Sequence, residues 1–453
     1  MGRRHILWLQ GELPILVSRG IIDTKTAEEI KDYYGEPGKR DYTRTMLTVF
    51  GTIGATLAGL GITLLIAFNW EGFPRGLKVT ISVLPLLLSQ ALGIFVIQRK
   101  FIQPAWRETI ALLLSFTAAA AIALVSQTYN IPGDLGNFLL TWMLLSLPLI
   151  YILESNAVTL LYLAGITAWS GYSQIEGGHA VFFWLLLALI IPRVVLEFRK
   201  NFYSNNSLYI AWVMVLCLTV ATGVTLEKVM PGLWMIIYSA FFTCLYLVGS
   251  LWFRDAPGIL HQPFQAAGVL GNIFLAYLFT YTWPWQEIGW NNIRHSIKFH
   301  HSVAFVDYTL TSLMIVAAVG LLVYAVYKRR KTNYILAVFP VLVVISYLLM
   351  ALTSNSSYFH NREPVALLVI HLVMNLYLLG CGVLYIVQGT QRRKPALING
   401  GTIMITILIA LRFIFVEGFF ENLIVRGLLF ILLGSGFLLT NFFISRHYKR
   451  GSI

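Results

Sequence analysis

The chain has 453 residues, 57% of them hydrophobic and only 12% charged, with a mean hydropathy of +0.73, whereas soluble domains carry roughly 25% charged residues. That composition excludes an ordinary soluble fold. The net charge of +13 does not mark a nucleic-acid surface, because the basic residues sit in short clusters between apolar runs.

Residues 1–44 are polar and hold no early apolar run followed by a small-residue cleavage site, so no signal peptide is expected. They predict a small cytoplasmic helical hairpin. Residues 6–19 are amphipathic, Gly20 ends that helix, Asp23 or Thr24 caps the next, and Gly35, Pro37 and Gly38 close it. Trp8, Leu9, Leu13, Ile15 and Leu16 suit a membrane surface. The hairpin either packs on the inner loops or docks a protein partner.

From residue 45 to 453 the sequence predicts one transmembrane helical domain. Uncharged stretches recur at the roughly 20 residues an α-helix needs to cross the hydrocarbon, and helices are the expected spans because lipid offers the backbone no hydrogen-bond partner. Spans fall near 46–70, 77–97, 108–129, 138–154, 157–173, 180–196, 208–226, 233–252, 264–283, 304–327, 333–353, 364–387, 396–416 and 424–445. The fold class is therefore all-α, a polytopic membrane helix bundle of about fourteen spans. Most of the 33 lysines and arginines fall on one set of connections: the N-terminus, Arg99 with Lys100 and Arg107, Arg193 with Arg199 and Lys200, the KRRK run at 328–331, the RRK run at 392–394, and the C-terminus. The positive-inside rule places that set, and both termini, in the cytoplasm. Two halves of seven spans would be oppositely oriented, as in inverted-repeat transporters, but the halves share no sequence similarity. Gly51, Ala55 and Gly59 read as close helix packing.

Cys217, Cys244 and Cys381 lie inside apolar runs, without a CxxC pair or a histidine at ligand spacing, which argues against disulfides and structural zinc. His295, His300 and His301, near Glu287, also lack a clear ligand spacing. No metal, cofactor or catalytic residue is expected, and the chain reads more readily as a non-enzyme.

Two motifs carry a family resemblance. GITLLIAFNW, Gly61 to Trp70, closes the first span, and ALVSQTYNIPGD, Ala123 to Asp134, ends the third. Together with Trp8, Gly20 and the Thr24 to Ile30 segment, they resemble the bacterial predicted membrane proteins grouped as domain of unknown function 2157, over residues 6–155. The remainder is similar only in character, including Arg412 and Arg426-Gly427. The resemblance implies a bacterial inner-membrane location and no activity.

Strongly polar side chains inside a span are costly and call for a partner or a purpose. Most lie in the outer half: Asn69 and Trp70 at the end of the first span, Gln127, Tyr129 and Asp134 at the end of the third, His371 and Asn375 one turn apart on the twelfth, and Arg412 and Arg426 at the last outer junction. These are the candidate substrate-binding residues of an outward-facing cavity, in which Asn69, Gln127, Tyr129 and His371 would converge. Structural alternatives stand beside each. Trp70 and Tyr129 suit an interfacial aromatic belt, Arg412 and Arg426 can snorkel or pair with Glu417 and Glu421, Asn69 can cap its helix, and His371 with Asn375 can form an interhelical hydrogen-bond pair. Neither belt nor cap chemistry calls for Gln127.

The leading expectation is a transporter or flippase-like protein for an anionic or lipid-linked substrate, since cations in a low-dielectric funnel attract anions. Pro85, Pro148, Pro192 and Pro340 are expected to interrupt helices around the cavity. Against this, no acidic residue sits at a mid-membrane position suited to ion coupling. The alternatives are a sensor, scaffold or accessory subunit using the N-terminal hairpin, and a membrane enzyme of envelope glycan or lipid assembly. Membrane lipids are expected partners; nucleic acid is not.

Overall fold

A computed structural model describes residues 3–34, 70–98, 104–200, 204–226, 231–253, 261–289, 292–295, 304–328, 334–353, 365–414, and residues 427, 431, 434 and 435. Nearly all of the first and last expected spans, the Gly51–Ala55–Gly59 series, Asn69, Glu417, Glu421 and Arg426 lie outside them. The chain divides into two units, Met1–Val83 and Leu84–Ile453.

In the first unit, α1 (Arg3–Ser18) and α2 (Thr24–Tyr34) pack on each other. Gly20, at φ 67°, turns the chain between them, and Asp23 accepts the Thr26 N–H at 3.1 Å to cap α2. The Thr26 side chain, and after it this backbone bond, hold the Asp23 carboxyl below its ordinary value. A 3₁₀ turn at Trp70–Gly72 precedes α3 (Arg75–Gln98), which carries the division between the units.

The second unit continues with α4 (Pro104–Tyr129), α5 (Leu135–Ile152), α6 (Asn156–Ile175), α7 (Phe183–Lys200), α8 (Asn205–Val224), α9 (Leu233–Trp252), α10 (Pro263–Leu278), α11 (Ala304–Tyr327), α12 (Tyr334–Thr353), α13 (Val365–Gln391) and α14 (Pro395–Ile414). Among the described residues every regular element is helical, and nine helices are long and apolar enough to cross a membrane: α3, α4, α5, α7, α8, α9, α11, α12 and α13. α10 and α14 hold shorter apolar stretches. Several of the long helices bury one face and leave the other apolar. On α11, Leu313, Val316 and Val323 are 62–69% exposed, while Leu310, Ala318 and Ala325 are buried. An apolar face left unpartnered in this way is the surface a lipid-facing helix presents.

Two core regions result. One joins α4 to α8 around Ile110, Met143, Tyr162, Ile166, Phe183 and Ile190. The other joins α9, α10, α12 and α13 around Met235, Phe279, Trp285, Phe339, Leu367 and Met374. In the second, Phe339 stacks between Phe279, at 6.2 Å, and Tyr377, at 5.2 Å. α9 and α10 approach so closely that a Cβ at Gly268 would lie 2.3 Å from the Tyr246 backbone nitrogen, and one at Gly249 2.3 Å from that of Gln265.

Two expectations need correction. Pro85, Pro148, Pro192 and Pro340 do not interrupt their helices; each lies inside a continuous one. The expected span 264–283 gives a helix only to Leu278, followed by a 3₁₀ turn at Trp283–Trp285. Phe279 caps its end, although hydropathy runs on through the aromatic residues.

Candidate functional site

A partly buried polar cluster lies where the start of α4, the α5–α6 turn and the end of α7 meet. It grows from the N-terminus of α6. A helix start leaves backbone N–H groups without intrahelical partners and carries partial positive charge. Ser155 caps it, accepting the Val158 N–H at 3.1 Å. Glu108 of α4 then brings a carboxylate to the same end, accepting the N–H groups of Asn156 at 2.8 Å and Ala157 at 2.9 Å, and the Ser155 hydroxyl.

Arg193 reaches the cluster from α7 and is only 3% exposed. An arginine so placed needs its charge and most of its donors met; here Nε alone has no partner among the described residues. Its Nη1 donates to Glu197 Oε2 at 3.0 Å, one turn along α7. Its Nη2 donates to the Glu154 carbonyl at 2.8 Å and to Asn156 Oδ1 at 3.0 Å. Asn156 Nδ2 returns a bond to Glu197 Oε1 at 3.3 Å. Asn156 thus joins the Glu108 side to the Arg193 side. Glu154, at φ 51°, holds its carbonyl in a left-handed turn conformation, which is costly for a residue with a Cβ. Its exposed carboxylate pairs with Lys200 at 2.9 Å, and that hydrogen bond, then the lysine charge, holds the Glu154 carboxyl below its ordinary value.

At the opposite end of α6, a small cavity of about 230 Å³ is lined by Gln174, His179, Thr225 and their neighbours. Between the helices, Asn272 donates to Thr243 at 3.0 Å, and Ser115 bonds Ser146 at 2.7 Å while accepting the Trp142 indole N–H. These are the polar contacts that hold transmembrane helices together. Asp307, in the first turn of α11, is 1% exposed. Among the described residues no group of three or more histidines, cysteines and carboxylates could hold a metal ion.

The residues expected from sequence are placed as follows. Trp70 is buried within its turn, and Lys78 Nζ stands 5.8 Å from its ring centroid. Gln127 and Tyr129 are exposed at the end of α4. Asp134 caps α5, accepting the Asn137 N–H at 2.6 Å and its side-chain amide at 3.2 Å. His371 and Asn375 are half-buried on α13, and Asn375 Nδ2 donates to the His371 carbonyl at 2.7 Å. Arg412 lies on α14, with its side chain outside the described residues. The structure brings His371 and Asn375 together, but not Gln127 with His371: α4 packs chiefly on α5 and α6, whereas α13 packs on α10, α12 and α14.

No motif in the sequence singles out Glu108, Asn156 or Glu197, and by position Arg193 reads as a loop cation. One signal was present. Arg193 follows Pro192 inside an apolar run, with Glu197 four residues on, and an i,i+4 pair of opposite charge in such a run shields both members.

No curated protein and no solved structure matches the chain. Residues 15–159, about a third of the chain and including Glu108, Asn156 and the Gln127–Asp134 segment, match the family model described as predicted membrane protein (DUF2157).

Proposed function

We propose that the chain is a fourteen-span inner-membrane protein with both termini cytoplasmic, that it moves an anionic or lipid-linked solute, and that the Glu108–Asn156–Arg193–Glu197 network closes its cytoplasmic side. The observation that carries this reading is the buried arginine. Its desolvation is offset by bonds to Glu197 on its own helix and to the Glu154 carbonyl and Asn156 on the α5–α6 turn, and networks of that kind mark transport pathways when they lie inside a bundle. Arg107, Arg199 and Lys200 stand at the same helix ends, which favours the cytoplasmic side for the network. The polar residues of the outer half, Gln127, His371 and Arg412 among them, remain the substrate-side candidates.

The test is reconstitution into phosphatidylglycerol vesicles and measurement of the movement of headgroup-labelled phosphatidylglycerol between leaflets. Wild-type protein is expected to exceed protein-free vesicles, and Gln127→Ala, Arg412→Ala and Arg193→Gln to reduce the rate at equal membrane levels. Arg412→Lys separates a snorkelling cation, which lysine replaces, from a planar fork on phosphate, which it does not. A wild-type rate equal to that of protein-free vesicles overturns the reading. A stoichiometric partner on copurification would then favour an accessory subunit docked through α1 and α2.

A further inference from the structure

A second feature lies where α7 and α9 end and α10 begins. There a groove of about 310 Å³ is lined by Val195, Phe198, Arg199, Val248, Trp252, Phe253 and Phe264. Its floor is fixed: Phe253 and Phe264 are 2% and 6% exposed, and Phe253 contacts Phe198 edge-on at 6.0 Å and Phe264 at 5.2 Å. Its rim holds Arg199 and Trp252, both exposed. Arg199 makes no ion pair with any described residue. We propose that this groove binds a phospholipid of the inner leaflet, with one acyl chain along the phenylalanine floor and the lipid phosphate on the Arg199 guanidinium.

The chemistry selects that occupant. A wall of valine and aromatic rings offers a soluble ligand no polar partner, but it suits an acyl chain. The arginine at its mouth presents a planar fork that matches phosphate oxygens in two places. Trp252 beside it offers the kind of amphipathic ring that bridges the headgroup and acyl regions of a bilayer. The groove lies apart from the Arg193 network: Arg193 turns inward to α6, while Arg199, six residues on, faces the groove. An anionic headgroup, with no ammonium to compete for its phosphate, is favoured over a zwitterionic one. Assignment to the inner leaflet rests on the proposed topology; binding itself does not.

Native mass spectrometry of the detergent-purified chain, titrated with phosphatidylglycerol and separately with phosphatidylcholine, tests the site. Wild-type protein is expected to retain one phosphatidylglycerol about tenfold more strongly than phosphatidylcholine. Arg199→Gln, at an exposed position that leaves the fold unchanged, should erase that preference, and Val248→Trp, which fills the groove, should reduce retention of both lipids. Equal retention of the two lipids by wild-type protein, or Arg199→Gln retention matching wild type, overturns the proposal. A mass shift to a dimer without lipid overturns it in favour of a second copy on this face. Orientation is read separately, by labelling Arg199→Cys with an impermeant maleimide in right-side-out and inverted vesicles. Labelling only from outside removes the topology and leaves the lipid result to stand or fall alone.

Discussion

The α4–α7 end and the α9–α10 interface hold helices together in opposite ways. At the first, helix ends are tied by directional bonds: a carboxylate on a helix N-terminus, a buried arginine, and an asparagine joining them. At the second, glycines let the backbones touch, and the neighbouring aromatic rings stack, with Asn272 to Thr243 as a polar bond within the interface. Close packing of this second kind cannot open without leaving voids whose lining atoms lose their contacts. A network of charges can exchange partners, given water or a ligand to receive its groups. If the bundle has a moving part, the comparison places it at the α4–α7 end.

The largest effect should come from Arg193→Gln. It leaves Glu197 without its cation and the Glu154 carbonyl without its donor, and breaking a buried pair from one side costs about 3–5 kcal/mol; reversible unfolding in mixed micelles measures it. Gly268→Val should follow, at about 3 kcal/mol, because the new side chain meets the backbone rather than a movable side chain. If its cost falls below that of Gly320→Val, where a Cβ meets nothing within 4 Å, the tight α9–α10 contact is refuted. Glu108→Gln keeps the shape but weakens three accepted bonds, for about 2 kcal/mol. Parity with wild type would mean that the α6 N-terminus needs no carboxylate.

Much of the fold was legible because apolar length is a physical requirement of the bilayer. The expected 77–97, 233–252 and 364–387 fall on α3, α9 and α13 within a few residues. What failed had specific causes. Hydropathy does not distinguish Phe279 to Trp285, which turn, from helical apolar residues, so the ninth span was drawn too long. Proline in a sequence reads as a break, yet each of the four sits inside a continuous helix. Of the candidate site, Asp134 shows a cap within its own segment, which the fixed i,i+3 spacing to Asn137 carries. Arg193 was hidden because counting basic residues by connection says nothing of depth or direction: Arg193 and Arg199 counted alike, and one is buried while the other is exposed.

The smallest effect concerns pH. The Glu154 carboxyl is held below its ordinary value of 4.5 in the fold. The Lys200 pair therefore contributes fully above that ordinary value, and its contribution is lost as pH falls through the lowered one. Both side chains are about half exposed, so the contribution is at most about 1 kcal/mol after solvent screening. Thermal midpoints of wild type and Glu154→Gln should differ slightly at pH 7 and converge as the pH is brought below the lowered carboxyl value.

The central claim is that Glu108 and Arg193, which do not touch, act as one network through Asn156. A double-mutant cycle of Glu108→Gln and Arg193→Gln, followed by unfolding in mixed micelles, tests it most directly. The account predicts a coupling energy above about 1 kcal/mol, within the range seen for groups in one hydrogen-bond network. Additivity within about 0.3–0.5 kcal/mol, as for independent sites, would contradict it.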